Sequence, residues 1–158
     1  MANIVFSRID DRLIHGQVIT GWLSYSGAER ILIIDDLVAK DPFMLGVLEM
    51  AAPPGVDVTA LTIEDSITKL KSDDWDQKIL ILTKTPHPIL ALVNNGVPID
   101  FLNVGGMGSK PGRKKLYRNI QATEEEIEIL KTLQAKGTNV EFRVVIEHKP
   151  LTLDEVLK

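Results

Sequence analysis

The densest group of reactive side chains lies near the start of the chain, in the stretch SRIDDRLIHGQV: Arg8, Asp10, Asp11, Arg12 and His15. Histidine titrates near neutrality, so its neutral ring offers a nucleophilic nitrogen at pH 7. Two arginines supply permanent, planar charge suited to the equatorial oxygens of a phosphoryl group. Either Asp10 or Asp11 can orient the imidazole so that its other nitrogen presents a lone pair. Gly16 directly follows His15 and opens a helical pattern, which would set the unpaired N–H groups and positive dipole end of a helix beside the histidine. These residue types at this spacing suit phosphoryl chemistry at the histidine; the alternative is a surface ion-pair loop whose histidine only caps the helix or faces solvent.

Other polar groups fit known chemistries less well. Gly105-Gly106-Met107-Gly108-Ser109-Lys110-Pro111-Gly112 departs from the Walker pattern and, with Pro111 where a third glycine belongs, from GxGxxG. It reads as a tight turn at a strand end, where small residues let two backbones approach closely. Lys110, Arg113, Lys114, Lys115 and Arg118 form a basic run on an acidic chain, either a docking surface for an anionic partner or a solvated loop. Thr83-Lys84-Thr85-Pro86-His87-Pro88 ends an apolar run, placing Lys84 and Thr85 within reach of the same ligand edge. His87 and His148 lack metal-ligand spacing with His15, so no metal and no cofactor is expected. Trp22 reads as core.

The elements that must position these groups follow from short apolar runs. Ile4-Val5-Phe6, Ile31 to Ile34 and Ile79 to Leu82 are continuous, as strands buried on both faces are. Val56 to Leu61, Ile99 to Val104 and Val140 to Ile146 continue the series. Helical patterns lie between them: Gly16 to Ala28, a segment opened by Asp41-Pro42, Thr62 to Leu70, Pro88 to Asn95, and a stretch capped by Thr123 and Glu126 and stopped by Gly137. The alternation predicts an α/β fold, a doubly wound and mainly parallel sheet with helices on both faces, whose ligands bind at the carboxyl ends of the strands. Lys115 to Gln121 reads as a short strand, a candidate antiparallel edge.

The chain has 158 residues, 44% hydrophobic and 25% charged, enough for one domain spanning 1–158 with a real core. A net charge of -4 and a pI of about 5.4 oppose nucleic-acid binding. There is no cysteine, which excludes disulfides, thiolate nucleophiles and Cys-ligated metals. The longest apolar run, Ile89 to Val93, is far short of the roughly 20 residues a membrane span needs, and the opening MANIVFSRIDDR is too charged for a signal peptide.

SRIDDRLIHGQV resembles the phosphorylation-site signature of the enzyme IIB components of the mannose/fructose/sorbose family of the bacterial phosphoenolpyruvate-dependent sugar phosphotransferase system. Gly96-Val97-Pro98 followed by Asn103-Val104-Gly105-Gly106-Met107 is similar to a second signature of that family, and the likeness covers nearly the whole chain. The resemblance implies that His15 accepts a phosphoryl group from a phosphohistidine on a IIA partner and passes it to a sugar delivered by membrane IIC and IID subunits. It further implies that Arg8 and Arg12 stabilise the transferring group, that Asp10 and Asp11 flank it, and that the Gly105–Gly112 turn approaches the His15 loop. A cytoplasmic protein, peripherally attached to a permease complex, is expected. The rival class is a non-catalytic domain that binds a small anion or nucleotide at the same sheet edge.

Overall fold

The computed structural model describes residues 1–72 and 75–158, the Gln17 side chain excepted. In chain order the elements are β1 (Asn3–Asp10), α1 (Gly16–Ser26), β2 (Arg30–Ile34), a 3-10 turn (Val38–Lys40), α2 (Pro42–Ala51), β3 (Asp57–Leu61), α3 (Ile63–Lys71), β4 (Lys78–Thr83), α4 (His87–Asn94) and β5 (Phe101–Gly106). They continue with β6 (Lys114–Tyr117), β7 (Ile120–Ala122), α5 (Glu124–Ala135), β8 (Asn139–Phe142), β9 (Leu151–Thr152) and α6 (Leu153–Leu157).

A seven-stranded sheet has the order β3-β2-β4-β1-β5-β8-β9, parallel throughout except where β9 joins β8. The continuous apolar runs become strands covered on both sides. In β2 and β4, Ile31, Ile33, Leu80 and Leu82 face one layer with Trp22 and Leu23 of α1 and Leu48 of α2. Leu32, Ile34, Ile79 and Ile81 face the other, with Leu70, Ile89, Leu92, Leu130 and Leu133 from α3, α4 and α5. Each such side chain withdrawn from water contributes about 1.5–3 kcal/mol, which makes this double layer the main stabilising term. The caps read from the sequence are in place. Asp41 accepts from the Met44 N–H at 3.1 Å, and Thr123 and Glu126 cap α5 reciprocally at 3.0 and 2.9 Å.

β1 lies between β4 and β5, and consecutive strands depart to opposite sides of it. At such a reversal the loops leaving neighbouring strand ends diverge and open a crevice. The Asp10–His15 loop and the Gly105–Gly112 turn both emerge there.

Two elements depart from the sequence reading. Lys115 to Gln121 is not an edge of the main sheet: β6 and β7 form a separate antiparallel hairpin that turns at Arg118, where φ is +50°. The antiparallel edge is β9. The strand expected over Val140 to Ile146 stops at Phe142, because the next backbone carbonyls turn inward to meet Arg8.

Candidate functional site

The site is built around Asp10, the last residue of β1, whose carboxylate is buried yet bonded from three sides. Arg8 Nη2 donates to its Oδ2 at 3.1 Å. Arg12 donates from its backbone N–H and Nε to Oδ1, both at 3.1 Å, and from Nη2 to Oδ2 at 3.3 Å. His15 Nε2 stands 2.9 Å from Oδ2. Burial alone would raise the Asp10 pKa, but the hydrogen bonds from His15 and Arg12 and the charge of Arg8 together hold it below the usual carboxylate range. Asp10 is therefore ionised and can only accept, so a neutral His15 ring bonded to it carries its proton on Nε2 and keeps the lone pair on Nδ1.

Backbone geometry presents this ring. The turn after β1 closes through the Leu13 N–H on the Asp10 carbonyl at 2.9 Å, with Leu13 held at φ +58° while its side chain packs into the core below. Leu13 and Ile14 anchor the loop in the layer that also holds Trp22. His15 is the N-cap of α1 in an extended conformation with no side-chain capping bond, and the first turn of α1 carries no acidic residue. The His15 side chain is 25% exposed. A partly open imidazole thus stands beside the positive end of an 11-residue helix.

The two arginines of the motif lie at different depths. Arg12 is at the rim, 46% exposed even while bonded to Asp10. Arg8 is 1% exposed and lies under the carboxylate. Four of its five donor hydrogens are taken, on Nη1 by Asn103 Oδ1 and the Arg143 carbonyl and on Nη2 by Asp10 and the Val144 carbonyl. Its guanidinium also lies 5.2 Å from the Trp22 ring centre. Burial lowers the Arg8 pKa to about 10, against the opposing charge of Asp10, so it stays charged at neutral pH. A residue so enclosed supports Asp10 from below and does not present a face to an incoming ligand.

Asp11 turns away from His15. Its Oδ2 accepts from the Gly108 N–H at 2.7 Å and faces Arg113 Nη1 at 3.4 Å. The Asp11 N–H in turn reaches the Gly106 carbonyl at 3.0 Å, so the glycine turn does approach the His15 loop. The reason for glycine is steric. A Cβ on Gly105 would lie 2.0 Å from Arg8 Cζ, and one on Gly106 would lie 2.6 Å from Asp10 Oδ1.

Several groups singled out in the sequence are committed elsewhere. Arg113, 2% exposed, forks onto Glu126 at 3.0 and 2.9 Å and donates to the Gly108 carbonyl at 2.8 Å, so it is an internal brace and not part of a docking surface. Lys114 pairs with Glu124 at 3.7 Å, and Arg118 lies over Tyr117. Lys84 faces Asp35 at 3.6 Å, and His87 bonds Glu125 at 2.7 Å and Thr85 at 3.1 Å. Among the described residues, no group of three or more His, Asp and Glu side chains is arranged to hold a metal ion. Nor is any helix long and apolar enough to cross a membrane.

Sequence reasoning missed Asn103, Glu141, Arg113 and Glu126 as parts of the site's support. Asn103 carried a signal, since a buried strand with one amide among Leu102 and Val104 asks what that amide bonds. For Glu141 and Arg113 no local pattern exists, because their partners are 38 and 13 residues away in the chain.

Comparison with known proteins identifies the family and the fold. The family model described as PTS system sorbose subfamily IIB component matches residues 4–158. The chain is 37% identical over 143 residues to the sorbose-specific EIIB component of Klebsiella pneumoniae, covering 90% of this chain and 87% of that one. It is 34% identical to the fructose-specific EIIB component of Bacillus subtilis, with 90% and 88% covered. Against the mannose-specific EIIAB component of Escherichia coli it is 33% identical over 98% of its own length but only 48% of that protein's. The crystal structure of the IIBSor domain of the Klebsiella pneumoniae sorbose permease superposes with a TM-score of 0.94 at 35% identity, with 98% and 96% of the two chains covered. With nearly its whole length matched in both sequence and fold, the chain belongs to the sorbose subfamily of IIB components of the phosphotransferase system.

Proposed function

We propose that His15 is the covalent relay of this IIB component: it accepts a phosphoryl group from a phosphohistidine on a IIA partner and yields it to a sugar delivered by membrane IIC and IID subunits. One observation carries this reading, the 2.9 Å contact between His15 Nε2 and the buried Asp10 carboxylate. It leaves Nδ1 as the nucleophile. In the first transfer the Nδ1 lone pair forms the new N–P bond, while the electron pair of the old one returns to the donor's ring nitrogen. His15 retains its Nε2 proton and becomes a phosphoimidazolium, whose positive charge falls beside Asp10. In the second, a sugar hydroxyl oxygen attacks phosphorus, the N–P electrons return to Nδ1, and the hydroxyl proton leaves to solvent.

In this reading Arg12, exposed at the rim, meets the equatorial oxygens of the transferring group together with the N–H groups opening α1. Asp10 orients the ring, Arg8 holds Asp10 ionised from beneath, and Asp11 pins the glycine turn that walls the site. In-line transfer between nitrogens requires positioning and charge stabilisation, which these groups supply. The rival reading as a nucleotide-binding module finds little support, since the Gly108 N–H that could donate to a phosphate in the glycine turn is taken by Asp11. Donor and acceptor must reach the same histidine, so IIA and the permease compete for one surface on the cytoplasmic side.

The test mixes the protein with a phosphorylated IIA protein in excess chelator and follows labelled phosphate. Acid-labile label on the natural chain and none on His15→Ala is the expected outcome. Full labelling of His15→Ala removes His15 from the mechanism, and a strict magnesium requirement moves weight to a nucleotide-dependent enzyme.

A further inference from the structure

Arg8 of β1, Asn103 of β5 and Glu141 of β8 are direct register partners in three adjacent strands, so their side chains form one row across the same face of the sheet. Asn103 is completely buried in the middle of that row. One side-chain atom of Asn103 lies 3.0 Å from Glu141 Oε2 and 3.1 Å from the Arg143 carbonyl, both of which only accept. That atom is therefore Nδ2, and the amide has no freedom to flip. Oδ1 is thereby turned to Arg8 Nη1, which only donates. The same logic continues outward, since Arg8 donates to Asp10 and Asp10 accepts from His15. Hydrogen-bond polarity is thus fixed without a break from Glu141 to the reactive ring.

We propose that Asn103, braced by Glu141, is a positioning residue for phosphoryl transfer: it holds Arg8 under Asp10 and so keeps His15 in the tautomer that presents Nδ1. The inference rests on the relay reading of His15 and extends it by two strands. Glu141 supplies more than a hydrogen bond. Its carboxylate charge favours the protonated guanidinium in a place where burial opposes it. Without Oδ1, Arg8 retains its acceptors on the 143–144 backbone but loses the lateral contact that centres it beneath Asp10. The Asp10 carboxylate then keeps its bonds from Arg12 at the rim but loses its support from beneath, so Oδ2 is held less firmly against His15 Nε2 and the two His15 nitrogens become more nearly equivalent.

The experiment uses the full chain with labelled histidine side chains, reading the His15 tautomer by nitrogen NMR and, separately, the rate of transfer from phosphorylated IIA protein. Asn103→Leu is expected to show a mixture of His15 tautomers and transfer slowed about 10- to 100-fold, the range found when outer partners of an oriented histidine are removed. Glu141 is only partly enclosed, with 15% of its side chain exposed, so Glu141→Gln folds even if Asn103→Leu does not. It is expected to show the same tautomer change to a smaller degree, with transfer slowed several-fold. A natural tautomer and natural rate in folded Asn103→Leu, or in Glu141→Gln should the former not fold, overturn the assignment while leaving the relay intact. Phosphate on a residue other than His15 in the unsubstituted chain overturns both.

Discussion

Gly105→Ala is the substitution whose effect the geometry fixes most tightly. The added methyl carbon would sit 2.0 Å from both Cζ and Nη1 of Arg8. Carbon contacts settle near 3.5–4.0 Å, so one partner must withdraw by about 1.5 Å or more. The guanidinium has nowhere to retreat, with the Trp22 ring 5.2 Å away and the Val144 carbonyl 3.0 Å away. A shift of that size stretches its 3.1 Å bond to Asp10 beyond hydrogen-bonding reach. Disrupting one side of a buried ion pair costs about 3–5 kcal/mol. For a domain of this length each kcal/mol moves the melting temperature by about 2–4 °C, so a fall of roughly 6–20 °C is expected. Gly46→Ala is the control, because Gly46 lies inside α2 with nothing within 4 Å of its added carbon. There the helix should gain about 0.5–1 kcal/mol. Thermal unfolding of both variants by circular dichroism, followed by phosphoryl acceptance of the folded Gly105→Ala, provides the assay. A Gly105→Ala chain that melts within about 2 °C of the natural one, an experimental margin corresponding to under 1 kcal/mol, refutes the enclosed position of Arg8.

Further expectations follow from the different depths of the charged groups. Arg12→Lys should slow transfer about tenfold to a thousandfold with little change in melting, as loss of a planar electrostatic donor does in other sites. Arg8→Lys should instead lower stability, by about 3 kcal/mol or more, since one ammonium cannot satisfy four buried acceptors; denaturant midpoints separate the two. Asp10→Asn, which no longer dictates the His15 tautomer, should reduce acceptance on the order of a hundredfold or more in a stopped-flow transfer assay. His15→Ala should abolish acceptance while costing about 1–2 kcal/mol, more than an open surface change because the ring is bonded to a buried carboxylate. Stability should also fall in acid. The folded-state pKa values of Asp10 and Glu126 lie below their ordinary values, so the folded chain binds fewer protons. Their contribution is complete above the unfolded values of about 4 and is lost as pH falls through the folded ones. Urea midpoints between pH 3 and pH 7 should show this slope, and Asp10→Asn should flatten it.

The sheet was legible because its strands are buried on both sides and therefore read as unbroken aliphatic runs, and because Asp41, Thr123 and Glu126 mark helix starts by side-chain chemistry that acts within three residues. The hairpin at β6 and β7 was not, since its two-residue turn is Arg118-Asn119 and lacks the glycine that usually announces a left-handed turn. β9 and α6 are too short for periodicity, although Thr152 and Glu155 carry the same capping-box spacing as α5. At the site, the motif was visible as a cluster, but depth was not. Arg8 and Arg12 are the same residue type on one short stretch, yet the pleat of β1 sends Arg8 inward while the loop carries Arg12 to the rim. Likewise Asp10 and Asp11 differ only in which side of the turn each faces. Partners such as Asn103 and Glu141 are brought together by strand register alone.

The most direct measurement is the position of the phosphoryl group on the histidine itself. The protein is phosphorylated by a IIA protein, kept at alkaline pH, and examined by phosphorus–nitrogen correlated NMR with labelled histidine. A single phosphohistidine at residue 15, joined through Nδ1, is the result expected from the 2.9 Å contact to Asp10. Phosphorus on Nε2, or on any residue other than His15, would contradict the account at its centre.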